Sequence, residues 1–176
     1  MVKRVSLGIV SLLVALHALA ADVRVSLPGG GTLVLPVPAG WRQVRQPGPV
    51  LTLSLTPEAG NSFQVLVSPL IRPNGVTAPA DADSLRRLVS SSAQGALSQA
   101  VEKTLPLEEL RGDNVQGSYF SATDRAAKPG EFKFMTQGAV SIQGLPVTFT
   151  ILSNGNSKVA VDPALRMLKA ARLEHP

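Results

Sequence analysis

Residues 132–152 read Phe132-Lys133-Phe134-Met135-Thr136-Gln137-Gly138-Ala139-Val140-Ser141-Ile142-Gln143-Gly144-Leu145-Pro146-Val147-Thr148-Phe149-Thr150-Ile151-Leu152. The stretch divides into a long strand from Phe132 to Ile142, a turn at Gln143-Gly144, and a return strand from Leu145 to Leu152. On the return strand Val147, Phe149 and Ile151 share one face and Thr148 and Thr150 the other, the period-two alternation of a half-buried strand. A connection this short predicts antiparallel pairing.

Upstream, Val115 to Thr123 reads as another strand, carrying Tyr119 and Phe120, one expected to point inward and one outward. A charged loop, Asp124-Arg125-Ala126-Ala127-Lys128-Pro129-Gly130, joins it to the long hairpin. Leu105 to Leu110 is a further strand, ending at the turn Gly112-Asp113-Asn114. Before it the period changes: Leu85, Leu88, Val89, Ser92, Ala93, Ala96, Leu97, Ala100 and Val101 recur at three- and four-residue steps, one apolar face of an amphipathic helix. Asp81 or Asp83 can cap that helix, and Gly95 within it offers room for another element to approach. Pro69 to Pro79 reads as a loop. Val50 to Thr56 and Phe63 to Ser68 pair across Glu58-Ala59-Gly60-Asn61. Val23 to Leu27 alternates, turns at Pro28-Gly29-Gly30-Gly31, and continues as Thr32 to Val37, which closes at Pro38-Ala39-Gly40-Trp41. At the other end Asp162-Pro163 is expected to open a last helix, Asp at the N-cap and Pro at the first helical position, with Leu165, Leu168 and Arg172 in line with Val161. Runs of strands with segregated helices predict an α+β class: a mainly antiparallel β-sheet covered by helices, in one domain over residues 21–176.

The first twenty residues read differently. Lys3 and Arg4 precede an apolar and small-residue run from Val5 to Leu16, and Ala18-Leu19-Ala20 follows. A charged region, an apolar region and a small-x-small site are the three parts of a cleavable secretory signal, with the cut expected after Ala20. The apolar run is short against the ~20 residues a span needs, so no membrane span is expected after cleavage. Removal of Lys3 and Arg4 leaves 15 basic against 12 acidic residues, a net of +3 on a chain of 156. Without a basic run, that excess is too weak a field to predict nucleic-acid binding. The localisation expected is periplasmic or secreted.

Two stretches carry a family resemblance. One is Leu35-Pro36-Val37-Pro38-Ala39-Gly40-Trp41. The other is the C-terminal order: Gly117-Ser118-Tyr119-Phe120, a loop, the long hairpin, then a closing helix with Ala164, Met167 and Leu168. In this order of elements the chain resembles the PsbP-like superfamily, which includes the photosystem II extrinsic protein, the Ran-binding Mog proteins, DcrB-like bacterial envelope proteins and Eag-type chaperones of secretion effectors. The resemblance implies an antiparallel sheet between helices, an α/β/α sandwich, and a non-enzymatic role in binding or assembly. The matching positions are structural, so no functional residue carries over.

The chemistry of the body narrows the classes further. The chain has no cysteine and two histidines, His17 within the expected signal and His175 beside the C-terminus. Thiol catalysis, Cys-ligated zinc and a Ser-His-Asp triad lack their essential groups, and no body lysine has a serine three residues before it. No catalytic residue, cofactor or metal ligand is therefore predicted. Glu108 and Glu109 are adjacent on a strand and point to opposite faces. Asp124 and Glu131 flank the charged loop, where a carboxylate pair is one reading and solvated side chains the other. Gly29-Gly30-Gly31 is followed by a strand, not a helix, and reads as a hairpin turn rather than a phosphate loop. Trp41, the sole tryptophan, is a candidate aromatic anchor for a partner or else packs over the sheet. Because loops carry binding function, the predicted partner-contact surface is Asp124, Arg125, Lys128 and Glu131. The function expected is a non-enzymatic binding or assembly protein with an envelope protein partner. The rival readings are a periplasmic immunity or inhibitor protein against a toxin, a small-molecule or lipid carrier, and last a carboxylate-only hydrolase.

Overall fold

The hairpin of residues 132–152 lies inside the larger of two sheets. The computed structural model describes residues 21–72, 74–155 and 157–175; the expected signal peptide occupies residues 1–20 and lies outside them. The elements are β1 (Ala21–Ser26), β2 (Thr32–Val37), β3 (Trp41–Gln46), β4 (Thr52–Pro57), β5 (Phe63–Pro69), α1 (Ala82–Ala96), β6 (Glu108–Arg111), β7 (Val115–Thr123), β8 (Phe134–Ile142), β9 (Leu145–Ser153), α2 (Ser157–Lys169) and β10 (Arg172–Glu174). The small sheet has the order β1-β2-β10 and the large one β3-β4-β5-β9-β8-β7-β6. Every pairing is antiparallel. The predicted α+β class and antiparallel pairing hold, but the strands divide between two sheets, where the sequence reading expects one.

β8 and β9 run in register from Phe134↔Ser153 to Ile142↔Leu145. Gln143 (φ 49°) and Gly144 (φ 88°) form their turn, both in the positive-φ region that a tight two-residue hairpin requires. Gln143 is the one non-glycine with positive φ among the described residues. Two hydrogen bonds hold it: its N–H donates to the Asn114 carbonyl (3.0 Å) and its Oε1 accepts from the Leu173 N–H (2.7 Å).

The strand alternation sorts side chains onto two faces. Val65, Val67, Val147, Phe149, Ile151, Val140 and Ile142 join Leu33, Leu35 and Val37 of the small sheet and Ala160, Ala164, Met167 and Leu168 of α2 in one core. A second cluster unites Leu85, Val89 and Ala93 of α1 with Phe120 and Ala122 of β7 and Ala139 of β8. Each fully buried Leu, Ile, Val or Phe contributes roughly 1.5–3 kcal/mol, so the first and larger core dominates stability. Tyr119 faces that core and Phe120 faces α1, so both aromatics pack, on opposite faces.

Several sequence-based expectations are corrected here. The last helix starts at Ser157, and Asp162 and Pro163 lie inside it. Its buried stripe begins at Ala160 and continues through Ala164, Met167 and Leu168; packing along this i, i+4, i+7, i+8 line extends the helix upstream of the local capping signal. Arg172 is not helical but belongs to β10, opposite Val34. Helix α1 is capped as predicted by Asp81, whose Oδ1 accepts the Ser84 N–H at 2.8 Å. It ends at Ala96, however, so Ala100 and Val101 lie beyond it, and Leu88 (40%) and Val101 (59%) are exposed. Among the described residues nothing approaches within 4 Å of where a Gly95 Cβ would sit, so the room it offers is not used by another element. Strand β3 is missed by pattern alone, because Trp-Arg-Gln-Val-Arg-Gln has no apolar alternation; its pairing with β4 defines it.

Candidate functional site

The charged loop is tied down by its own side chains. Asp124 pairs with Ala100 in an isolated bridge, and its N–H donates to the Lys133 carbonyl at 2.8 Å. Its Oδ1 accepts the Ala126 N–H (2.8 Å), and Glu131 Oε2 accepts the Lys128 N–H (2.9 Å). Arg125 donates from its main chain to the Gln99 carbonyl (2.9 Å) and from Nη2 to the Ala100 carbonyl (2.7 Å). The Arg125 side chain therefore braces the loop against the turn after α1, while the Asp124 and Glu131 side chains tie the loop to itself. The two carboxylates each take a different loop amide as partner and form no shared acid–base pair. Arg125, Lys128 and Glu131 are exposed and Asp124 is half-buried.

Beside this loop lies a cleft of about 150 Å³, walled by Ala96, Ala100, Ala122, Phe132, Met135 and Leu152, with Gln99, Thr123, Asp124 and Lys133 at its polar rim. Glu102 supports that wall by accepting the Thr123 N–H (2.9 Å) and Oγ1–H (2.7 Å). These bonds, the main-chain one first, hold the Glu102 carboxyl below its ordinary value of 4.5. Ligand pockets occupy ~300–1,000 Å³, so this cleft is too small for a lipid chain or drug-sized ligand.

Trp41 is half-buried, its ring 4.6 Å from that of Phe63 at an interplanar angle of 47°, and it packs against the main core. Its indole face is thus already occupied, the packing alternative raised from the sequence. Glu108 and Glu109 point apart as predicted: Glu108 Oε2 accepts the Tyr119 hydroxyl (2.9 Å) and Glu109 Oε2 accepts from Arg111 Nε (2.9 Å). Burial first, and the Glu108 hydrogen bond second, push the Tyr119 hydroxyl up to about 12.

No family model matches this sequence, and no curated protein matches it. Among the described residues no group of three or more His, Cys, Asp or Glu side chains could hold a metal ion, and no helix is long and apolar enough to cross a membrane.

The structure adds surfaces that the sequence reading overlooks. Helix α1 packs on β7 and β8, and α2 packs on β2, β5, β6 and β9. The α1-side face of β3, β4, β5 and β9 is left half-open, with Thr52, Gln64, Leu66, Thr148 and Leu152 half-buried and Val44 57% exposed. Short hydroxyl and amide links order it: Thr52 Oγ1 to Ser68 Oγ at 2.8 Å, and Gln64 Nε2 to Ser54 Oγ at 3.0 Å. On the outer face of the small sheet, Arg172 pairs with Asp22 (2.6 Å) and Glu174 (3.6 Å), and Arg24 with Glu174. In register, Arg24 and Arg172 flank Val34, which is fully buried. Register, which fixes these neighbours, is a property of strand pairing that no local motif announces.

Proposed function

We propose that the mature chain, from Ala21 onward, is an exported non-enzymatic binding or assembly protein that recognises another protein of the cell envelope. The observation that carries the reading is the half-open face of the large sheet, which ends at the uncovered strand β3. Thr52, Ser68, Gln64 and Ser54 link to one another beside half-buried Leu66 and Leu152 and exposed Val44, which leaves polar and apolar groups side by side and open to a partner. The separate partners of Asp124 and Glu131 weigh against a carboxylate hydrolase.

The finer architecture belongs to the same proposal. An α/β/α layering, as the PsbP-like resemblance implies, is part of the proposal; it is supported by the packing of α1 on β7 and β8 and of α2 on β2, β5, β6 and β9.

Expression of the full chain with a C-terminal tag tests both parts. Intact mass of the exported protein is expected to start at Ala21; a retained residue 1–20 segment overturns the export reading. Crosslinking in intact cells followed by mass spectrometry is expected to enrich one envelope partner. Enrichment no greater than for an unrelated tagged exported protein overturns the binding reading, and a co-captured toxin redirects it to the immunity role.

A further inference from the structure

The hydrogen-bond parity of the two outer strands can be worked out from single bonds. In an antiparallel pair, residues alternate between those bonded to the partner strand and those whose N–H and C=O point away. The Glu58 N–H donates to the Gly40 carbonyl at 2.8 Å. With the β3–β4 register, this assigns Gly40, Arg42, Val44 and Gln46 to the bonded set. The main-chain groups of Trp41, Gln43 and Arg45 therefore point away from β4. Pro57, which has no N–H, sits opposite Trp41, as this parity demands. For β1, the Leu27 N–H donates to the Gly31 carbonyl at 3.1 Å, which leaves Asp22, Arg24 and Ser26 pointing away from β2.

Among the described residues both β1 and β3 are end strands of their sheets, and their outward-pointing residues meet in one place. A groove of about 390 Å³ is walled by Arg24 and Ser26 on one side and Gln43 and Arg45 on the other, with Leu51 and Leu53 in its lining. Its lining contains two arginines and no carboxylate. Arg24 is paired with Glu174; Arg45 has no ion-pair partner among the described residues. Neither β3 nor β4 contains an acidic residue, and Arg42 adds a positive charge to the β3 edge outside the groove, on the face opposite Arg45.

We propose that this groove is a docking slot for an acidic extended segment of a partner protein, which adds to the open edge of β3 through main-chain hydrogen bonds. The inference rests on the binding-protein reading and names the partner's chemistry and mode of contact. Strand addition draws affinity from the main chain and selectivity from side chains. From Trp41 to Arg45 the edge is ~14 Å long at ~3.4 Å per residue, room for about five residues of a partner. The charge selects its sign: a carboxylate opposite Arg45 or Arg42 is favoured, whereas a second copy of β3 would gather four arginines on one ribbon, a like-charge arrangement that opposes self-pairing.

The test uses the whole mature protein and Trp41, the only tryptophan in the chain, as a built-in reporter at the first position of β3. The probe is an acetylated and amidated heptapeptide, Thr-Glu-Val-Glu-Val-Glu-Thr, with a control in which Lys replaces Glu. Expected are a saturable change in Trp41 emission with the Glu peptide, at least tenfold weaker binding of the Lys peptide, and at least tenfold slower hydrogen exchange at the Gln43 and Arg45 amides. Arg45→Glu is expected to invert the preference. Gln43→Pro removes an outward N–H without touching a β3–β4 bond, so it is expected to abolish binding while leaving the circular dichroism spectrum intact. Equal binding of both peptides, no saturable change, or protection only away from β3 overturns the slot. So does a dimer that Gln43→Pro dissociates, which would assign the edge to a second copy. In cells, partner capture that Gln43→Pro leaves undiminished overturns the slot while the binding reading stands. If wild-type protein captures nothing, the binding reading falls and the peptide titration alone decides the slot.

Discussion

Replacing Gly138 by alanine should destabilise the fold measurably. Gly138 lies on β8 between Tyr119 of β7 and Phe149 of β9, whose rings are 6.5 Å apart across it at 50°. An added Cβ would sit 2.5 Å from the Ser118 carbonyl oxygen, 2.6 Å from Phe149 Cζ and 2.6 Å from Tyr119 Cβ. One of those neighbours is main chain in the middle of the sheet, and Phe149 is 1% exposed, so neither can simply turn aside. Overpacking of this kind costs ~1–3 kcal/mol. Against it stands the ~0.4–1 kcal/mol gained because alanine leaves the unfolded chain fewer conformations. The net expectation is a loss of about 1–2 kcal/mol, a fall in Tm of ~2–8 °C for a chain of this size. Urea denaturation of the mature protein followed by Trp41 fluorescence reads it as a lower midpoint at unchanged slope. Gly95→Ala is the internal control: it lies in α1 with open space around it, and should raise stability by about 0.5 kcal/mol. If Gly138→Ala equals or exceeds the wild type while Gly95→Ala behaves as stated, the claimed tightness between Tyr119 and Phe149 is wrong.

Three further outcomes follow from particular contacts. Ser118 Oγ is buried with no hydrogen-bond partner among the described residues, so Ser118→Ala should raise stability by about 1 kcal/mol by removing an uncompensated hydroxyl; a loss in the same urea titration would show that the hydroxyl has a partner. Asp81→Ala removes the acceptor for the Ser84 N–H and should lower the midpoint and speed hydrogen exchange in the first turn of α1, with Asp81→Asn restoring both. The folded Glu102 carboxyl lies below its ordinary 4.5 because Thr123 donates to its charged form. Its stabilisation is therefore complete above pH 4.5 and disappears as pH falls through the folded value. Glu102→Gln should lower stability at pH 7 and flatten its dependence between pH 5 and 3; an unchanged acid limb would remove Glu102 from that role.

The strands that bury one face were legible, and those that do not were not. Val147, Phe149 and Ile151 alternate because one side of β9 meets the core, so period two was written into residues 145–152. The α1 stripe at Leu85, Val89 and Ala93 was visible for the same reason, although the pattern ran on past the helix end because Ala100 is buried through its bridge to Asp124. Strand β3 has solvent or polar neighbours on most positions and owes its form to β4. Strand β10, three residues long, is held by its register with β2 and by Gln143. In α2 the strong local signal at Asp162-Pro163 lost to the burial of Ala160. The charge of the candidate loop is plain in the sequence, but the bracing by Arg125 depends on the positions of Gln99 and Ala100, 26 and 25 residues away.

That difference moves the weight of the functional argument from the loop to the edge. A charged side chain is available to a partner in proportion to how little it does at home. Asp124, Arg125 and Glu131 already satisfy main-chain groups, and recruiting them would expose those groups again, a cost of the order of the bonds themselves, about 0.5–1.5 kcal/mol each. The outward N–H and C=O groups of Gln43 and Arg45 incur no such cost, since pairing them with an incoming strand replaces only water. An open edge is ordinarily an aggregation hazard, countered by short length and positive charge. β3 has both features, six residues with Arg42 and Arg45 among them, and the same two charges that discourage a second copy of the chain are the ones that would favour an acidic strand.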